Sequence, residues 1–169
     1  MRTIYLAGFD VFRADSLARG EWLKQQCRRH GFEGSYPLDN QAPTGLSAHA
    51  LANWIYEANT TLIRQADAVM ANLNAFRGAE PDSGTAFEVG YAIALGKAVW
   101  VYTDDAQPLV QRLAVARRDD RYVDDQGYTV EDFGLNLNLM LACSATVVTG
   151  DAAQCLSRMA QARRSDDGA

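Results

Sequence analysis

Short apolar runs alternate along this chain with stretches of helically spaced apolar residues. Thr3 to Gly8 is a compact apolar run closed by glycine, which predicts a buried strand. From Ser16 to His30, Leu17, Trp22, Leu23 and Cys27 recur at helical spacing, and Gly31 supplies the stop. Phe32 to Tyr36 reads as a weak second strand ended by Pro37, and Leu38 to Gly45, with its Asp, Asn, Pro and Gly, reads as a loop. Ser47 is placed to cap a long helix ending near Ala66. The run DAVMANL, Asp67 to Leu73, predicts a third strand, followed by a polar loop from Asn74 to Pro81. Asp82 or Ser83 then caps a helix from Gly84 to about Gly96, and AVWVY, Ala98 to Tyr102, predicts a fourth strand. The highly charged segment Asp104 to Gly127 has room for one short helix, with Asp105 as its cap. Leu135 to Ala145 predicts another short helix, Thr146 to Thr149 a fifth strand, and Asp151 to Arg163 a last helix. The closing RRSDDGA lacks apolar anchors, so residues 163–169 are expected to fray.

Strands alternating with helices predict an α/β fold, a parallel sheet covered on both faces. The expectation is a single doubly wound, flavodoxin-like domain over 1–162 with a five-stranded parallel sheet. Right-handed crossovers bring the loops that follow the strands to one edge, where such sheets bind ligands. That rule gathers residues 8–15, 37–45, 74–82 and 104 onward around one cleft.

Composition narrows the partners. A chain of 169 residues suits one domain, and 48% hydrophobic with 22% charged residues is ordinary for a globular protein. A net charge of −5 argues against nucleic acid as partner, because phosphates favour a basic face. No apolar run approaches the roughly 20 residues that span a membrane. The start MRTIYLAG enters a strand at once, so no secretory leader and a cytoplasmic location are expected. Cys27, Cys143 and Cys155 match no metal spacing, and all three are expected to pack on helix-like segments. His30 and His49 stand alone, as surface or helix-end residues. YLAG lacks the further glycines of a dinucleotide loop, and Ser83 has no nucleophile-elbow pattern.

Glu88 is the sharpest chemical signal. TAFEVGYAIALGKAVW carries one carboxylate in an otherwise apolar helix, where glutamate is seldom buried without a partner. Pattern alone also allows a glutamate on the helix's one wet face. The helix follows the loop of the third strand, however, so its first turns face the predicted cleft, and the helix dipole offsets part of the burial cost. Asp82, six residues earlier, is a natural N-cap and could bind ligand through its second oxygen. Two carboxylates near one cleft fit glycosyl transfer, in which one attacks the sugar carbon. Tyr5, on the same strand face as Ala7, could hold Glu88, although a core tyrosine with a satisfied hydroxyl is the commoner case.

Several segments resemble the nucleoside 2-deoxyribosyltransferases: YLAGFDVF at the start, YPLDNQ at 36–41, NLNAFRGAEPDSGTAFEVGYAIALGK at 72–97 and FGLNLNLML at 133–141. The pattern is similar to the subgroup with an FRGxEPDxGTAFE loop. The resemblance implies transfer of 2-deoxyribose between nucleobases, with Glu88 as nucleophile, Tyr5 as its hydrogen-bond donor and Asp82 on the sugar 5′-hydroxyl. It further implies Gln41 on the nucleobase, and Asn138 reaching a neighbouring subunit's 5′-hydroxyl with Met140 beside it. Asn59 stands where some members carry an aspartate at the base. An amide cannot donate an acid proton, so Asp10 or water would protonate the departing base. No metal or organic cofactor is implied, and the implied partners are a deoxynucleoside, a free nucleobase and further copies in a homo-oligomer built from dimers, a tetramer or hexamer. Some members insert a C-terminal tyrosine into the site; the tail SDDGA carries none.

The main rival is an N-glycosidase acting on 2-deoxynucleosides or their 5′-monophosphates. Asp82 speaks against the phosphorylated substrates, since a carboxylate repels phosphate. A phosphoribohydrolase of the cytokinin-activating class expects a PGGxGT loop, whereas this chain has PDSGT at 81–85. A ligand-sensing domain would leave Glu88 and Asp82 without a chemical task.

Overall fold

The computed structural model describes residues 1–167. Five parallel strands form its centre: β1 (Arg2–Gly8), β2 (Phe32–Ser35), β3 (Ala68–Asn72), β4 (Ala98–Thr103) and, late in the chain, β8 (Thr146–Thr149). Their order is β2-β1-β3-β4-β8, the flavodoxin-like order in which the winding reverses between β1 and β3. Helices α1 (Ser16–Arg29), α2 (Ala48–Gln65) and α3 (Ser83–Ala94) make the crossovers, and with α6 (Ala152–Asp167), which follows the last strand, they cover the sheet.

Side chains alternate across β1 and divide the core in two. Ile4 and Leu6 pack with Met70, Cys27 and Leu156 beneath α1 and α6. Tyr5 and Ala7 pack with Val69, Ile63 and Val89 beneath α2 and α3. All are essentially buried, and each such aliphatic side chain contributes roughly 1.5–3 kcal/mol of transfer free energy. Ser47 caps α2 by accepting from the Ala50 N–H at 3.3 Å. Gly20 sits inside α1 because any Cβ there would strike the ring of Tyr36.

Five expectations need correction. The charged segment after β4 holds more than one short helix: α4 (Leu109–Arg112) leads into a three-stranded antiparallel sheet of β5 (Val115–Arg118), β6 (Arg121–Asp124) and β7 (Thr129–Val130). Asp105 caps no helix; its Oδ1 accepts from the Gln107 N–H in a local turn at 2.8 Å. The helix expected over 135–145 shrinks to α5 (Leu139–Ala142), because Asn138 turns the chain there and caps it. Cys143 is exposed rather than packed, while Cys27 and Cys155 are buried. Finally, α6 continues helical to Asp167, five residues into the segment expected to fray, with Arg163 donating to the Gly31 carbonyl at 3.1 Å. Residues 168 and 169 lie outside the described residues. No helix among the described residues is long and apolar enough to cross a membrane.

Candidate active site

The site is built at the carboxyl edge of β1 and β3. Parallel pairing sets Gly8 against Asn72, and a Cβ at Gly8 would lie 2.8 Å from the Asn72 Cβ. With φ +149° as well, only glycine lets β1 leave the sheet there. The exit places Asp10 beneath the edge, buried, accepting from Arg19 Nε at 2.9 Å and from Asn72 Nδ2 at 2.8 Å. Asn72 in turn accepts from the Asn74 side chain at 2.8 Å, and Asn74 accepts from the Asp104 N–H at 2.8 Å. This network pins the loops after β1, β3 and β4 to one another.

Tyr5 points from β1 toward α3 and donates its hydroxyl to Glu88 Oε1 at 2.5 Å. Glu88 is therefore on the side of α3 that faces β1, not its wet face, and is half-buried. Burial raises its carboxyl to about 7; the Tyr5 hydroxyl pulls the other way, and the Asp82 charge adds to the rise. Tyr5 itself is held far above the ordinary tyrosine range, first by burial and then by the Glu88 charge, so it remains a proton-bearing donor.

Asp82 caps α3 with a single oxygen. Its Oδ2 accepts from both the Thr85 N–H at 2.8 Å and the Thr85 hydroxyl at 2.9 Å. Among the described residues no hydrogen bond reaches Oδ1. Two carboxylates thus share the first turns of one helix, one capping it with an oxygen left for a ligand's donor, the other half-buried and held by a tyrosine. A carboxylate in that position can act as a nucleophile once it is ionised.

The other candidates fall into two groups. Gln41 is exposed and Asn59 half-buried on α2; neither side chain bonds to Glu88, Tyr5 or Asp82. Asn138 and Met140 line an apolar groove on the outer face of α3, with Pro81, Ala86, Gly90 and Leu141. Asn138 is occupied locally, accepting from the Met140 N–H at 2.9 Å, and Met140 is 71% exposed. Asp10 has both oxygens engaged.

Sequence reasoning missed three features. Phe76, in the loop before Asp82, stacks with Phe9 at 4.9 Å and Phe12 at 5.4 Å, and Arg77 lies over its ring at 4.7 Å. This stack latches the loop of β3 onto the turn after β1. Asn72 and Asn74 were also missed, although two asparagines closing an apolar strand, in ANLN, are a visible signal of a polar network. The third is Arg112, which reaches across from α4.

The nucleoside 2-deoxyribosyltransferase family profile matches residues 4–140, which includes Tyr5, Asp82, Glu88 and Asn138. The chain belongs to this family. Its structure is similar to that of the 2-desoxiribosyltransferase from Leishmania mexicana, with 34% identity, a TM-score of 0.76, and coverage of 95% of this chain and 98% of that one. The 2-deoxyribosyltransferase of Bacillus psychrosaccharolyticus shares the fold at 22% identity and a TM-score of 0.59, over 89% of this chain and 87% of that one. An uncharacterized protein of Schizosaccharomyces pombe, C191.05c, is 31% identical over 122 residues; the match takes in 68% of this chain and only 56% of that protein.

Proposed function

We propose that this family member transfers 2-deoxyribose between nucleobases by a retaining double displacement through Glu88. The observation that carries the reading is the Tyr5–Glu88 hydrogen bond, which holds one carboxylate oxygen and leaves the other for attack. Ionised Glu88 attacks the anomeric carbon, an ester C–O bond forms, and the glycosidic C–N bond breaks with its electron pair going to the base. Both oxygens of Asp10 already accept hydrogen bonds, so the reading assigns the base's proton to water. A second base then attacks the same carbon, the ester opens, Glu88 departs as carboxylate and the incoming base loses a proton. Two inversions give retention.

Asp82 Oδ1 takes the sugar 5′-hydroxyl in this reading, while Gln41 and Asn59 face the base. Asn138 and Met140 serve a neighbouring copy, in a homo-oligomer built from dimers. The likeness to the Leishmania mexicana enzyme supports transfer. Incubation with deoxyinosine and free adenine tests it. Deoxyadenosine and hypoxanthine in equal amounts are expected; hypoxanthine with free deoxyribose alone would make the protein an N-glycosidase, and no turnover would leave it a binding domain.

A further inference from the structure

Arg112 closes α4, and its side chain is 11% exposed. The guanidinium donates through Nη2 to the Asn136 carbonyl at 2.7 Å and through Nη1 to the Ala79 carbonyl in a longer bond of 3.4 Å. Its Nε faces Asp105 Oδ2 at 3.5 Å. Asn136 completes the ring by donating its side-chain amide to the Asp105 carbonyl at 2.9 Å, and the Leu109 N–H donates to the Leu135 carbonyl at 2.8 Å. One largely buried cation therefore ties together three segments that are far apart in sequence.

Two of those segments end in residues of the candidate site. Ala79 lies three positions before Asp82, and Asn136 two positions before Asn138. Stability alone is a poor account of this arrangement. Nε is buried without a hydrogen-bond partner, which is costly, and buried charges are often replaceable by apolar packing without loss. Fixed geometry accounts for it better: a planar fork can hold two carbonyls at a set angle, and a lysine ammonium cannot. We infer that Arg112 is a positioning residue for the sugar 5′-hydroxyl, fixing the stretch before Asp82 for its own chain's site and the stretch before Asn138 for the site of the neighbouring copy. The inference rests on the deoxyribosyl-transfer reading above.

The test compares 2′-deoxyinosine with 2′,5′-dideoxyinosine, each with adenine as acceptor, in the unmodified protein, Arg112→Ala and Arg112→Lys. The readout is the ratio of kcat/KM for the two donors, with circular dichroism and cooperative thermal unfolding as folding controls. A residue that only supports the fold lowers both rates and leaves the ratio unchanged. A residue that sets the 5′-hydroxyl contact lowers the ratio. The expected fall in Arg112→Ala is about tenfold or more, the scale of losing a hydrogen bond to a charged group. The 5′-deoxy donor should change by less than about threefold, being blind to that contact. Arg112→Lys, which keeps the charge, should fold even where Arg112→Ala does not, and should still lower the ratio. An unchanged ratio in a folded variant overturns this inference alone. Absence of any deoxyinosine turnover by the unmodified protein overturns the transfer reading and this inference with it.

Discussion

Replacing Glu88 by Gln should abolish transfer yet stabilise the protein, and the stabilisation should depend on pH. An amide mimics the protonated carboxyl: its oxygen can still accept from the Tyr5 hydroxyl, and it never ionises. Glu88 is raised from the usual 4.5 to about 7, chiefly by burial. Below pH 4.5 the folded and unfolded chains both hold the proton, and the stability associated with this group is fully present. As pH rises through 4.5 the unfolded chain releases its proton while the folded chain keeps it, so stability falls until about 7, where the folded chain releases it too. At about 1.4 kcal/mol per unit of pH, the loss is on the order of 3 kcal/mol. Glu88→Gln escapes it. Urea titrations at pH 4.5 and pH 8.5 should therefore show the variant gaining about 3 kcal/mol over the parent at the higher pH relative to the lower. By size scaling, that is roughly 6–12 °C in Tm. An equal difference between the two proteins at both pH values would refute the claim that Glu88 is a desolvated carboxylate.

Tyr5→Phe removes the donor that opposes the rise in Glu88; the inflection of kcat/KM against pH should move upward from about 7, and activity at pH 6 should fall about tenfold per unit moved. Asp82→Asn keeps a competent cap and removes the charge, so a profile comparing a deoxynucleoside with its 5′-monophosphate should show the preference for the unphosphorylated substrate shrinking by about tenfold. Glu88→Ala and Asn138→Ala, each nearly inactive, should regain roughly a quarter of the parent activity when dissociated and reassociated together, because about half the pairs are mixed and each mixed pair holds one intact site. Proven subunit exchange without recovered activity would place Asn138 in its own chain's site.

The elements legible in the sequence are those whose environment is uniform. β3 and β4 are central parallel strands, covered on both faces, so DAVMANL and AVWVY read as continuous apolar runs. Glu88 stands out for the opposite reason: it breaks such a run, and the strand–loop–helix order brings it within reach of Tyr5 on β1. β5, β6 and β7 were not legible, because they form a small sheet with much exposed surface. RRDDRYVDD offers neither alternation nor an apolar stripe. Arg112 was invisible on different grounds. Two of its partners are backbone carbonyls at Ala79 and Asn136, and a carbonyl leaves no mark in a sequence. The Asp10–Arg19–Asn72 network joins residues up to 62 positions apart. Only the β1–β3 register makes them neighbours.

The two carboxylates at the start of α3 are coupled, and this gives the last prediction. The charge of Asp82 is one of the forces that hold Glu88 toward its protonated form. Under the proposed reading, substrate acts on that force directly. When the sugar 5′-hydroxyl donates to Asp82 Oδ1, part of the Asp82 charge is drawn into a hydrogen bond and opposes ionisation of Glu88 less strongly. A sugar carbon developing oxocarbenium character beside Glu88 favours the carboxylate further. Burial by the substrate works against both, since it removes water from around Glu88. The balance is measurable, because kcat/KM reports the free enzyme and kcat reports the complex. If the 5′-hydroxyl and sugar charge dominate, the kcat inflection lies below the kcat/KM inflection near 7. With 2′,5′-dideoxyinosine as donor the separation should narrow, since one of the two forces is missing. A kcat inflection above that of kcat/KM would show that desolvation by substrate dominates, and would refute the idea that substrate ionises its own nucleophile.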